Sequence, residues 1–572
     1  MLRKTFSLLI FLVFSWLIYC MITLPNLEGL GNKTRKPSIS IFDKNNNYVG
    51  SLGDVYAGII EYEDISKYLV DAVIVLEDRR FFEHYGVDLR GLGRAMLQNF
   101  KELRYSQGAS TITQQLSKLI FLNSDKTLSR KIRELMIAFY LEYKFTKNEI
   151  LTMYLNRAYF GSGQYGIKAA SKRFFLKEPK DLSIAEASIL AGSLKAPSRL
   201  ALTVNKEASI SRARTVLKLL NRNNLISLRI LENSEKELNN IKNKNYFFDE
   251  NIRYYIDWLH ASTPDEVLNN KKDLIITSTL DPQIQKTINF SLKKNTNKLD
   301  NNIQSAVVVM NFDGAVKGML GGRRWSESKF NRATQSKRQL GSVFKTYVYL
   351  TALDMGFNLT DKIMDTPIKK GEWEPKNFSN KYEGMISLKK AFATSSNVAA
   401  IRLSDLVGRE NIIKQVKKFG ITSKVLNNPS MALGTSSFSL LETVGSFGAI
   451  CGRGMPVIPF GINEIKLRDN RSIWKRNLPE RNKVVSNQVL IKLKKLLRSV
   501  VKEGTGKRIA KVPIDIIGKT GTSQKNRDAW FLGCAKKHVI GVWVGRDDDK
   551  SMKNIYGSTL PLSIFKDIVL NL

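Results

Sequence analysis

The sequence predicts a multidomain chain: an N-terminal transmembrane helix, an all-α domain behind it, and a mixed α/β domain running to the C-terminus. Three observations carry this. Arg3 and Lys4 precede an apolar run over residues 6–24, roughly the length that crosses a bilayer. Apolar residues then recur at spacings of three and four over about 65–193, with Pro179 and Pro197 punctuating the end. Strand-like runs begin only after Asp273, at 274–280 and 306–310, with helical stretches between and behind them.

Taken in order, residues 1–24 read as a cytoplasmic tip and an uncleaved signal-anchor with its N-terminus inside. No small-x-small cleavage site follows the apolar run, and Tyr19 before Cys20 is too bulky for lipoprotein-type processing. Lys33, Arg35 and Lys36 on the far side work against the positive-inside rule, but a large downstream domain crosses regardless of flanking charge. Ser38-Ile39-Ser40-Ile41-Phe42 alternates, residues 43–47 turn, and Tyr48-Val49-Gly50 returns, which is a hairpin signal. The all-α domain occupies 25–205. Residues 206–272 are rich in Lys and Asn with helical pieces and are expected to be a linker. The α/β domain takes 273–572.

A chain of 572 residues is long enough for two or three cores, and 43% hydrophobic with 25% charged residues excludes a disordered protein. The net charge of +38 favours an anionic partner such as lipid head groups or a phosphate-bearing substrate. General compositional drift explains it equally well, since Lys and Asn are abundant throughout. No run of five or six basic residues marks a nucleic-acid tail, and no nucleic-acid partner is expected. Cys20, Cys451 and Cys534 include no C-x-x-C, so neither zinc nor a redox pair is indicated; whether Cys451 and Cys534 pair is open. With only His84, His260 and His538 in the chain, a nucleophile is expected to find a base other than imidazole.

The first group of chemistry-bearing residues opens at Glu77-Asp78-Arg79-Arg80-Phe81-Phe82-Glu83-His84. A helix continuing through it sets Glu77, Phe81 and His84 on one face, and aromatic surface beside an acid pushes its pKa toward the range of a general base. A lone Glu of this kind is usually a surface acid. The text that follows changes that reading: Gly108-Ala109-Ser110-Thr111-Ile112-Thr113-Gln114-Gln115, then Arg130-Lys131-Ile132-Arg133-Glu134, then Tyr154-Leu155-Asn156 running on to Gly161 and Gly166. Together these resemble the glycosyltransferase domain of the class A penicillin-binding proteins, the bifunctional peptidoglycan synthases, over most of residues 35–200. The resemblance implies a lysozyme-like all-α fold that polymerises lipid II. It implies Glu77 as the base for a sugar hydroxyl attacking C1 of a diphospho-lipid-linked sugar, with inversion at that carbon. Asp78, Phe81, His84, Thr111, Gln115, Lys118, Arg130 and Lys131 are the implied substrate-binding residues, with Lys126 a further candidate. Glu134 either assists the diphosphate side or protonates the leaving oxygen. A divalent metal, magnesium or manganese, is expected at the diphosphate, and no organic cofactor. Thr152 departs from the acid that many relatives carry.

The second group begins with Ser-x-x-Lys in Gln339-Leu340-Gly341-Ser342-Val343-Phe344-Lys345. On a helix Ser342 and Lys345 share a face, and a desolvated lysine can be neutral and take the serine proton. Chance copies of this pattern abound. Here Ser395-Ser396-Asn397 and Lys519-Thr520-Gly521-Thr522 follow it in order, a triple of penicillin-binding proteins. With Phe330-Asn331-Arg332-Ala333 and Asp528-Ala529-Trp530-Phe531, these residues resemble the penicillin-binding transpeptidase domain, which implies a mainly antiparallel sheet flanked by helices. The resemblance makes Ser342 the nucleophile, Lys345 its base, Ser395 a proton relay and Asn397 a clamp on the substrate amide. Lys519, Thr520 and Thr522 hold the terminal carboxylate, and the amides of Ser342 and Thr522 form the oxyanion hole. Gly521 leaves room for a substrate backbone along the strand. Leu340 and Thr346 stand where relatives usually have proline.

The combined reading is a bifunctional, single-pass synthase of the bacterial cytoplasmic membrane with its catalytic domains outside. Its expected partners are lipid II and nascent peptidoglycan, the membrane, β-lactams and other cell-wall synthesis proteins. A penicillin-binding sensor or scaffold with an inactive glycosyltransferase domain is the alternative, and the intact Glu77, Glu134 and Lys118 argue against it. A secreted β-lactamase fits less well, since no recognisable Glu-x-x-x-Asn lies between Asn397 and Lys519 at the expected place.

Overall fold

A computed structural model describes residues 14–24, 38–52, 60–93, 110–121, 127–161, 164–241, 251–269, 272–467, 469–477 and 481–572. It divides into two compact units: Met1–Ser40 with Gly50–Tyr246 and Asn270–Ile275, and Ile41–Val49 with Phe247–Asn269 and Ile276–Leu572. Residues 14–22 are helical, while 6–13 of the expected span lie outside the described residues, as do Lys33, Arg35, Lys36, Gly108, Ala109 and Lys126. Among the described residues no helix is long and apolar enough to cross a membrane.

The first unit is helical, as its apolar spacing predicts. Lys67–Glu77 buries Leu69, Val70, Ala72, Val73 and Val75 against a core that includes Leu116, Leu141, Leu155 and Leu190. Thr146 and Ser183 begin the helices Lys147–Arg157 and Ile184–Ser193 with complete capping boxes, closed by Glu149 and Glu186. Each cap is worth about 1 kcal/mol over alanine, which fixes where these helices start. Ile184–Ser193 is buried at every residue, so it is the centre on which its neighbours pack. Residues 206–240, expected as part of a linker, instead form the helices Lys206–Arg222 and Leu228–Asn240. Ala213, Val216, Leu217, Leu220 and Leu238 of these helices join the same core. Ile252–Ala261 belongs to the second unit.

The expected hairpin forms as Ile39–Phe42 and Tyr48–Leu52, turning on Asp43, whose carboxylate accepts from the amides of Asn45 and Asn47. The second unit is built on a five-stranded sheet in the order Ile516–Thr522, Asp528–Ala535, His538–Arg546, Ile303–Asn311, Val316–Leu320, with every neighbour antiparallel. Helices cover both faces, so its middle strands are almost wholly buried and read as continuous apolar runs. On one face Ile288 and Leu292 of Pro282–Thr296 and Phe565 and Ile568 of Leu560–Leu570 pack on Val307, Phe531 and Val542. On the other, Gly541 lies under Leu440 and Val444 of Leu440–Cys451. Cys451 at the end of that helix forms a disulfide with Cys534 of the sheet.

Candidate active sites

In the first unit the acidic pair sits at a helix end. Lys67–Glu77 stops at Glu77, Asp78 is its C-cap, and the chain then turns through 79–86. The single helical face expected for Glu77, Phe81 and His84 is therefore not formed. Asp78 is the physical reason, because its side chain engages groups outside the helix. His84 Nε2 lies 3.0 Å from its carboxylate, and the amide of Ile112, first in helix Ile112–Phe121, donates to it at 3.0 Å. Phe81 is fully buried and edge-on to His84, with Lys147 Nζ 4.6 Å above its ring. Thr111, also buried, donates to the Gly86 carbonyl at 2.7 Å. Asp78, Phe81, His84 and Thr111 thus build the wall of the site.

Glu77 is half-buried and accepts from Gln115 Nε2 at 2.9 Å, while Tyr154 OH donates to Gln115 Oε1 at 3.1 Å. Burial first, and the Glu77 charge second, push the Tyr154 hydroxyl far up, so it stays a donor. Glu134 lies buried on helix Leu128–Lys144, where Arg130 Nη1 donates to one oxygen at 2.7 Å and Lys131 Nζ to the other. Lys131 Nζ also donates to Gln114 Oε1 at 3.2 Å. Consecutive glutamines of one helix therefore reach the two acids: Gln115 directly, Gln114 through Lys131. Lys118 is exposed one turn further on. Asn156 clamps the backbone of Ile60, accepting from its amide at 3.1 Å and donating to its carbonyl at 3.0 Å, which makes it a brace.

Around Glu134 the described residues supply cations rather than a cluster of metal-ligating acids. Both oxygens of Glu134 already accept from cations, and among the described residues no group of three or more His, Cys, Asp or Glu converges. Arg130 Nε is buried without a partner among the described residues. Two cations and a spare donor suit an anion.

In the second unit Ser342 lies in the 3-10 turn Gly341–Val343, which leads into helix Lys345–Asp354. Gly341 has φ +56°, and a Cβ there would stand 2.3 Å from the Thr522 carbonyl, so only glycine lets the turn press on strand Ile516–Thr522. Ser342 is half-buried and Lys345 completely buried. Lys345 Nζ donates to the Ser395 carbonyl at 2.6 Å and to Asn397 Oδ1 at 2.7 Å, and lies 3.3 Å from Ser395 Oγ. Lys519 Nζ donates to Ser395 Oγ at 2.9 Å. The Ser395 hydroxyl thus stands between two buried amines. It is held there with φ +61° at the end of helix Leu388–Thr394, a conformation costing about 1–3 kcal/mol that the surrounding hydrogen bonds sustain. Burial, then the Lys519 charge, drives the Lys345 amine well below its usual 10.5, against an opposing pull from Asp365. Burial lowers Lys519 to about 7.

Asn397 is held at both ends of its amide, by Lys345 and by the Lys376 carbonyl at 2.7 Å. Thr520 Oγ1 bonds Thr505 Oγ1 at 2.6 Å, and Thr522 Oγ1 accepts from the Gly557 amide at 3.1 Å. At Gly521 a Cβ would meet the Leu340 carbonyl at 2.5 Å and Val343 Cγ2 at 2.7 Å. The serine turn packs directly against this glycine, a constraint the sequence reading did not include. Behind the site Arg332 pairs with Asp547, and Asp528 accepts from Trp543 Nε1 at 3.1 Å. The sequence reading gave no role to Tyr154 or Gln114, though both lie in the segments it singled out, and it missed Asp365 and Asn377 altogether.

Comparison with known proteins divides the chain in the same way. Residues 45–221 match the family model described as Transglycosylase, and residues 304–570 match Penicillin binding protein transpeptidase domain. Penicillin-binding protein 1F of Bacillus subtilis (strain 168) is 33% identical over 553 residues, covering 93% of this chain and 77% of that protein. Penicillin-binding protein 1A of Aquifex aeolicus (strain VF5) is 29% identical over 638 residues, covering 95% and 87%. The crystal structure of Penicillin-Binding Protein 1A from Haemophilus influenzae aligns with a TM-score of 0.57 at 19% identity, over 93% of this chain and 92% of that one, a likeness of fold. Relatives this similar along nearly the whole chain, with both domain models matched in the same order, place it: the chain belongs to the class A penicillin-binding proteins, the bifunctional peptidoglycan synthases.

Proposed function

We propose that this enzyme carries out its two reactions, polymerisation of lipid II and D-Ala-D-Ala transpeptidation, through Glu77 in the first unit and Ser342 in the second. In the first, Glu77 takes the proton of the acceptor sugar hydroxyl as its oxygen attacks C1 of the donor. The C1–O bond to the diphosphate breaks, and the anomeric centre inverts in one displacement. Gln115, held by Tyr154, orients Glu77. Arg130, Lys131 and Lys118 stabilise the charge that develops on the leaving diphosphate. Glu134, accepting from Arg130 on one oxygen and Lys131 on the other, orients those two cations.

In the second, the observation that carries the reading is the hydrogen-bonded chain from Lys345 through Ser395 to Lys519. A lysine this buried is poised as a free amine, so Lys345 accepts the Ser342 proton while Oγ attacks the penultimate D-alanine carbonyl. The amide C–N bond breaks, and the proton passes by way of Ser395 to the departing D-alanine. The acyl group then moves to the amine of a second stem peptide, or stays on Ser342 when a β-lactam has supplied it. Thr520 and Thr522 with Lys519 face the carboxylate, and the amides of Ser342 and Thr522 its carbonyl oxygen. The test is covalent labelling by a fluorescent penicillin. Lys345→Ala should lose label and cross-links while still making glycan, and labelling at the wild-type rate would refute the assignment.

The enzyme is further proposed to sit in the bacterial cytoplasmic membrane, tethered by residues 6–24 with both units outside. Three features support this. Tyr85, Leu89, Leu119 and Leu128 are exposed around the glycosyl-transfer site. Arg133, on the helix of Glu134, donates to Thr23 at 2.9 Å and lies 5.9 Å from the Tyr19 ring centroid, so the end of the apolar segment meets that helix. The Cys451–Cys534 disulfide suits an oxidising compartment. Removing residues 1–24 should release the chain from membranes on fractionation.

A further inference from the structure

Asp365 lies outside all the motifs, at the end of strand Lys362–Asp365, which pairs with Gly384–Ser387. It is 3% exposed, and among the described residues no lysine or arginine pairs with it. Its Oδ1 accepts from Ser396 Oγ at 2.7 Å and from Asn377 Nδ2 at 2.8 Å, and its Oδ2 accepts from the Glu383 amide at 3.0 Å. Asn377 in turn accepts from the Asn397 amide at 2.8 Å. Ser396, the middle residue of its motif, is the joint. It donates to Asp365 and caps helix Asn397–Val407 by accepting from the Ala399 amide at 3.1 Å. Asp365 and Asn377 therefore hold from behind the turn whose front, Ser395 and Asn397, carries the Lys345 amine.

A bracing role alone would be met by a neutral amide, and a buried carboxylate without a cation is costly. The charge has an evident object. The charged groups that act on Lys345 are Lys519, from strand Ile516–Thr522, and Asp365, from strand Lys362–Asp365; Ser395 and Asn397 are neutral. Lys519 disfavours the protonated amine and Asp365 favours it. We propose that Asp365 is a positioning residue for transpeptidation, fixing the Ser396–Asn397 turn and supplying the negative charge that offsets Lys519 at the Lys345 amine. Without it the amine is too weak a base to take the serine proton efficiently. This rests on Lys345 being the base for Ser342.

The test is the acylation rate of the full-length enzyme by a fluorescent penicillin as a function of pH. In wild type the rate rises through an acid limb as Lys345 loses its proton. Asp365→Asn keeps an acceptor for Ser396 but removes the charge, so the limb should move to lower pH by about one pH unit or more, with a lower plateau. Ser396→Ala breaks the same hydrogen bond but leaves the charge, so it should lower the plateau and leave the limb in place. Asp365→Ser is the second neutral variant should Asp365→Asn not fold. An acid limb unmoved in a folded neutral variant, or moved equally by Ser396→Ala, overturns the proposal. Lys345→Ala separates the two levels, because a penicillin that labels it at the wild-type rate would refute the underlying base assignment itself.

Discussion

Lys519→Met should make the second unit more stable at neutral and acid pH while abolishing cross-linking. The amine falls from 10.5 in the unfolded chain to about 7 in the fold because it is buried. The unfolded chain therefore binds more protons between about pH 7 and 10.5, and the stability of the wild type rises with pH across that window. At 1.36 kcal/mol per tenfold, burying this lysine costs about 5 kcal/mol at about pH 6 and less than about 1 kcal/mol at about pH 10. The variant forfeits the hydrogen bonds to Ser395 and to the Thr520 carbonyl, and the placement 5.5 Å from the Phe392 ring, together about 2–3 kcal/mol. The variant should be about 2 kcal/mol more stable at about pH 6 and about 2 kcal/mol less stable at about pH 10. Urea denaturation followed by tryptophan fluorescence measures this, since every tryptophan but Trp16 belongs to the second unit. A variant less stable at both pH values, or a difference independent of pH, would refute the buried, half-neutral amine.

Three further outcomes are expected. Tyr154→Phe leaves Gln115 without its donor and should slow glycan polymerisation about tenfold, one lost hydrogen bond of about 1–2 kcal/mol, with penicillin labelling unchanged. Gly341→Ala drives a methyl into the Thr522 carbonyl and should destabilise the second unit by about 3 kcal/mol and suppress acylation, read by thermal unfolding and penicillin label. Replacing Cys451 and Cys534 by serine frees a span of 83 residues in the unfolded chain and should lower stability by about 4 kcal/mol, matching the wild type under reducing conditions.

Local spacing made part of this molecule legible in advance. Ser342 and Lys345 are one turn apart, and the apolar strands of the central sheet are continuous because helices cover both faces. Where tertiary contacts decide, the sequence misleads. The helix expected to run on through Phe81 ends because the Asp78 carboxylate is taken by His84 and by the amide of Ile112, 34 residues away. The Lys- and Asn-rich segment after 205 looked like a linker because its polar faces outnumber the apolar stripe of Val216, Leu217 and Leu220. Asp365 had no local signal at all, since its partner Ser396 is 31 residues distant. The Cys451–Cys534 pairing likewise depends on a helix end meeting a strand.

The most direct measurement gives the full-length enzyme labelled lipid-linked disaccharide-peptide and follows glycan chains and cross-links separately. Glu77→Gln should make no glycan yet still be labelled by penicillin, and Ser342→Ala should make uncross-linked glycan and take no label. Polymer from Glu77→Gln at the wild-type rate, or cross-links from Ser342→Ala, would contradict two independent reaction centres on one chain.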